Sequence, residues 1–100
     1  MNNETKKSIQ RAGYVTWVLA NPSRMKIIEM LMDHELRPKD IQLKLKTVQA
    51  TTATHLGHLR EIKLLRRRRS SHEEDRRTTF YRLDEKQWRH YLETIEKLIA

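Results

Sequence analysis

The stretch PKDIQLKLKTVQATTATHLGHLREI, Pro38–Ile62, decides the architecture. Pro38 suits a first helical turn, where its missing N–H is not needed, and Ile41 and Leu45 then face inward, so a short helix is predicted to about Leu45. After Lys46-Thr47-Val48 a second helix runs from Gln49 to Ile62, with Thr52, Leu56, Leu59 and Ile62 at three-and-four spacing on its inward face. Its outward face carries Gln49, Ala50, Ala53, Thr54 and Gly57, which are small and polar. Two helices this close together have the spacing of a helix-turn-helix. On such a face the backbone can approach a groove closely; Gln can hydrogen-bond adenine, and Ala or Thr methyls can touch thymine methyls. An ordinary exposed face low in charge fits the helix taken alone. Its neighbours shift the balance.

Downstream, Leu64–Ser70 and Arg77–Leu83 read as two strands, the second with Phe80, Tyr81 and Leu83 among polar residues. The polar segment Ser71-His72-Glu73-Glu74-Asp75 joins them into a hairpin. One arm carries Arg66, Arg67, Arg68 and Arg69, and the other Arg76, Arg77 and Arg82. Like charges this dense repel, a cost that a polyanion would recover while its neutralised phosphates release counterions. Phosphate contact is available from either face of the hairpin. A merely solvated basic face is the competing reading. The whole chain points the same way: its net charge is +8 and its pI about 10.1, a field that attracts polyanions.

Upstream, apolar positions recur loosely from about Thr5 to Ala20, predicting a first helix. Asn21 can cap a second helix and Pro22 can open it; this helix is placed over Pro22–His34, with Met25, Ile28 and Leu31 as its core stripe and Ile27 beside it. From Asp84 onward Trp88, Tyr91, Leu92, Ile95, Leu98 and Ile99 form one apolar stripe on a final helix. The polar side of that helix mixes Glu85, Lys86, Glu93, Glu96 and Lys97, unlike a membrane-surface helix, so core or dimer packing is favoured. The expected dimer interface comprises Ile9, Tyr14 and Trp17 with Trp88, Tyr91, Leu92, Ile95, Leu98 and Ile99. Burial of both tryptophans inside one chain is the alternative.

Several classes of function are disfavoured. There is no cysteine, hence no disulfide, thiolate ligand or thiol sensor. The pairs His55/His58 and His90/Glu93 have helical spacing, but the first lies on the helix expected to face DNA and the second supplies two ligands where a closed metal site needs about four, so no metal or other cofactor is expected. With two glycines the chain has no phosphate-cradling loop, and no acids cluster as a catalytic pocket would require; the expectation is not an enzyme. Gln10 and Arg11 interrupt any signal region, and no apolar run approaches the roughly 20 residues of a membrane span. The protein is expected in the cytoplasm.

The segments Ala20–Leu31, Thr54–Glu61 and Phe80–Leu83, in that order and spacing, resemble the ArsR/SmtB family of bacterial and archaeal repressors over about residues 20 to 83. The resemblance implies a dimeric winged helix-turn-helix, mainly α with a small β-hairpin, in the order α-α-α-α-β-β-α. Its terminal helices would form the dimer and its fourth helix would enter the major groove. The family's DNA-facing positions fall on Gln49, Ala50, Ala53 and Thr54, and its wing on Arg66 to Arg82. Family members commonly have serines where this chain has Ala50 and Ala53, so a different sequence preference follows. The glycines expected after helices three and four are Lys46 and Lys63, which implies turns unlike the family's. The wing is several residues longer, with an acidic tip at Glu73-Glu74-Asp75 that phosphate would repel. Metal-sensing members use cysteines on helix three or Asp, His and Glu on the last helix; here residues 38–42 hold no thiol, and Glu85 and Gln87 occupy the last-helix positions.

Residues 1–100 are thus expected to form a single domain, with dimerisation helices at 1–20 and 85–100, a helix-turn-helix at 38–62 and a wing at 64–83. The expected function is a homodimeric, sequence-specific regulator of transcription, a repressor, bound to an inverted repeat in double-stranded DNA. Gln49, Ala50, Thr51, Ala53, Thr54 and His58 would face bases, with Arg66, Arg67, Arg68, Arg69, Arg76 and Arg77 on backbone or minor groove. No inducer is legible. The alternative is a winged-helix protein-interaction module with weak or non-specific DNA binding.

Overall fold

The computed structural model describes residues 2–70 and 78–99. They form α1 (Asn3–Leu19), α2 (Pro22–Leu31), α3 (Pro38–Leu45), α4 (Gln49–Glu61), β1 (Leu65–Arg69), β2 (Thr79–Leu83) and α5 (Glu85–Ile99). Local chemistry sets the helix starts. The Asn2 carboxamide accepts from the Thr5 amide at 2.8 Å, and that of Asn21 from the Arg24 amide at 3.0 Å with Pro22 behind it. Asp84 caps α5 by accepting from the Gln87 amide at 3.0 Å.

The strands pair antiparallel, Leu65 opposite Leu83 through Arg69 opposite Thr79. Among the described residues both strands are shorter than expected. Leu36, between α2 and α3, bridges to Tyr81 through two backbone hydrogen bonds of 3.1 and 2.8 Å and ties the α2–α3 connection to β2. Val18, Ile27, Ile28, Ile41, Leu59 and Leu64 are fully buried where α1 to α4 meet the base of the hairpin. Burying each such side chain stabilises by roughly 1.5–3 kcal/mol.

Two expectations are corrected. Helix two ends at Leu31 rather than His34, and its inward face is Arg24, Ile27, Ile28 and Leu31 while Met25 is exposed. A charged residue takes the inward position because its donors are satisfied there: Arg24 Nε donates to Val18 O at 2.7 Å and Nη2 to Trp17 O at 3.2 Å. The turns after helices three and four keep the left-handed conformation despite lacking glycine, with φ of 56° at Lys46 and 65° at Lys63. Both turns fasten the preceding helix. The amide of Lys46 bonds Leu43 O at 3.2 Å, and that of Leu64 bonds Leu59 O at 3.1 Å.

α5 buries no residue fully, although Trp88 and Tyr91 pack against the core. Tyr91 Oη donates to Ile62 O at 2.8 Å, fixing α5 to the end of α4. The molecule measures 53 × 25 × 24 Å with a radius of gyration of 15.3 Å, against about 13 Å for a compact chain of this length.

Candidate nucleic-acid interface

α4 is seated by Thr52, Leu56 and Leu59, all buried, and this orientation leaves Gln49, Ala50, Thr51, Ala53 and Thr54 exposed. The Thr54 hydroxyl donates to Ala50 O at 3.0 Å, so its proton is committed to the helix. Its methyl group and both oxygen lone pairs remain for a partner. Gly57 is half-buried, and a methyl group added there would meet open space. His58 is also half-buried; its ring lies against Trp17 and its Nδ1 is 3.0 Å from Tyr14 Oη, so its side chain is engaged with α1.

The four arginines of β1 alternate between the hairpin's two faces. Arg66 and Arg68 share a face and are both ion-paired: Arg66 Nε lies 2.8 Å from Asp84 and Arg68 Nη2 2.6 Å from Glu35, with the Arg68 guanidinium also 4.8 Å above the Phe80 ring. The hydrogen bond from Arg68 holds the Glu35 carboxyl below its ordinary range. The Gln87 amide first, and Arg66 next, lower Asp84 in the same way. Arg67 stands opposite Tyr81 on the other face, exposed and without a carboxylate partner among the described residues. Arg69 is exposed on the same face. Arg76, Arg77 and the acidic Glu73-Glu74-Asp75 segment lie outside the described residues.

Tyr81 lines a cleft of about 690 Å³ that opens between the hairpin and the helix-turn-helix. Lys39 and Gln42 of α3, Gln49 and Arg60 of α4 and Thr79 of β2 also line it. Sequence reasoning passed over Lys39, Gln42, Arg60 and Thr79. The spacing of Lys39 and Gln42, three apart on a helix whose Ile41 is inward, was a usable signal for the first two. Arg60 and Thr79 needed the hairpin to be folded back against α4.

The residues expected at a dimer interface separate into two groups. Tyr14 and Trp17 face α2 and α4: Trp17 stacks on Tyr14 at 5.9 Å and lies under the Arg24 guanidinium at 4.6 Å, yet stays 53% exposed. The opposite side of α1, with Val15 and Leu19, forms with Tyr91, Ile95, Leu98 and Ile99 an apolar groove of about 590 Å³. Leu92, Leu98, Ile99 and Ile9 are exposed, whereas Trp88 is half-buried on its own core. Among the described residues no three His, Cys, Asp or Glu side chains come together as metal ligands.

No family model matches the chain. It is 27% identical over 95 residues to the transcriptional activator HlyU of Vibrio cholerae, spanning 95% of this chain and 83% of that protein. The structure of reduced HlyU superimposes with a TM-score of 0.67 over 97% of both chains. The homodimeric winged helix-turn-helix DNA-binding domain of Mb0332 from Mycobacterium bovis, a possible ArsR-family regulator, gives a TM-score of 0.74 at 21% identity over 100% of this chain and 87% of that one. The transcriptional repressor BigR from Xylella fastidiosa gives 0.62 at 25% identity over 83% and 76%. The fold is a winged helix-turn-helix, as the sequence resemblance implied, and the chain's neighbours are transcriptional regulators, one of them a possible ArsR-family member. Among the described residues no helix is long and apolar enough to cross a membrane.

Proposed function

We propose that this chain is a homodimeric regulator of transcription that binds an inverted repeat in double-stranded DNA. The observation that carries the reading is the juxtaposition of α4's exposed, small-residue face with a basic hairpin across a cleft lined by Lys39 and Arg60. In this reading α4 enters the major groove, where Gln49, Ala50, Ala53 and Thr54 meet base edges, and Thr51 flanks them. Arg67 and Arg69, with Lys39 and Arg60, take the flanking phosphates. Two copies joined by α1 and α5 set their α4 helices about 34 Å apart, one turn of DNA.

The chain acts as a binding protein rather than an enzyme, without a metal, in the cytoplasm. Its output is repression, since a dimer seated on an operator excludes other proteins from that DNA. The homodimeric DNA-binding domain of Mb0332 and the regulators HlyU and BigR support the class of function.

Selection of bound sequences from random DNA, followed by titrations at several salt concentrations, is the test. A recovered palindrome with two half-sites one helical turn apart is the expected result. Equal, weak binding to every fragment would remove the claim of a specific regulator and favour a protein-docking role.

A further inference from the structure

The two histidines of α4 are held by different elements and in opposite hydrogen-bonding roles. Arg24 Nη1 lies 3.2 Å from His55 Nδ1. A guanidinium only donates, so His55 Nδ1 must accept, and the ring must be neutral with its proton on Nε2. At the next turn Tyr14 Oη donates its single proton to Glu61 Oε2 at 2.6 Å. His58 Nδ1, 3.0 Å from the same oxygen, must therefore be the donor. A second proton on His58 leaves that bond intact. A second proton on His55 abolishes its bond and sets two cations about 3 Å apart.

Arg24 cannot easily give way. It is 4% exposed, anchored on Val18 O and Trp17 O, and covered by the Trp17 ring. The charged and titratable groups around His55 are Arg24 from α2 and His58 from α4, with Tyr14 of α1 and Glu61 of α4 beyond His58.

We propose that His55 is a proton-sensitive latch: neutral, it accepts from Arg24 and holds α4 in the orientation that reads DNA; protonated, it is expelled and α4 loosens from α1 and α2. The proposal rests on the reading of α4 as the DNA-contacting helix. His55 and Arg24 are positioning residues in it. Burial first, then the nearby Arg24 and His58, hold His55 below its ordinary value of 6.5, so the latch is closed at neutral pH and opens in acid.

Two measurements test it. Long-range ¹⁵N–¹H NMR on the full chain at pH 7.5 should find His55 in the Nε2–H tautomer, with a titration midpoint below 6.5. A proton on Nδ1 or a midpoint above 6.5 would overturn the latch. Affinity for a duplex carrying the selected palindrome is then followed from pH 7.5 to 5.5 at fixed salt for the wild type and His55→Asn, whose side-chain oxygen can accept from Arg24 but does not titrate. The wild type should lose affinity in acid relative to this variant, on the order of fivefold or more. Parallel profiles would overturn the positioning role. If no palindrome is recovered, the DNA reading itself has failed and the positioning role with it, while the tautomer still decides whether the latch exists.

Discussion

At the scale of the residue, charge alone does not say which arginines meet DNA. Arg66 and Arg68 already have carboxylate partners, so phosphate must compete with Asp84 and Glu35 for them, whereas Arg67 has none among the described residues. Arg67→Ala should therefore lower the slope of log K against log salt by about 0.9, one phosphate's share. Arg66→Ala and Arg68→Ala should leave that slope nearly unchanged. Fluorescence anisotropy at four or more salt concentrations checks this, and equal slope changes for all three would refute it. Lys46 and Lys63 carry a different cost, because a β-carbon crowds the backbone at positive φ. Replacing either by glycine should stabilise the protein by about 1 kcal/mol, allowing for glycine's greater freedom in the unfolded chain. Urea unfolding measures it; no gain at either site would mean that the lysine side chains compensate the strain.

At the scale of the element, helix starts and strand alternation were the legible features. Asn21-Pro22 and Pro38 mark helix starts because their chemistry is local, and the predicted α3 matches the observed span. The core face of α2 was not legible, because Met25 is the more apolar residue and Arg24 is buried by partners on α1 and α4 that periodicity does not see. The helix cap at Asp84 also acts beyond its own element, since the same carboxylate takes Arg66 of β1. Asp84→Ala should cost about 1 kcal/mol, the usual value of a lost cap. Its carboxyl is held below its ordinary value of 3.8 in the folded chain, so its contribution is complete above that pH and is lost as pH falls through the lower folded value. Unfolding followed by circular dichroism should show the wild type more stable than Asp84→Asn above that range, with the difference vanishing as pH falls through it.

At the scale of the whole molecule, the proposed pairing of two copies would cover the apolar groove between α1 and α5. A carboxylate placed in an apolar interface has no partner and must be desolvated. Ile95→Asp should therefore raise the dimer dissociation constant at least about tenfold, the equivalent of 1.4 kcal/mol. Because Ile95 is 36% exposed in the single chain, its own fold should survive. Sedimentation velocity reads the assembly and circular dichroism the fold; an unchanged dimer would place the interface elsewhere.

The sequence by itself determined the order of elements, the helix-turn-helix, the outward face of α4 and the basic hairpin. Each depends on periodicity, capping or charge within one segment. Only the tertiary structure decided which arginines are already neutralised, that Leu36 joins the hairpin, that Trp17 faces α4 rather than the α1–α5 groove, and that His55 rests on a buried guanidinium. Those outcomes join residues far apart in the chain, and no local pattern records which partner a charged or aromatic side chain will find. Pro38–Ile62 announced α4 and its exposed face; what holds that helix in place comes from α1 and α2.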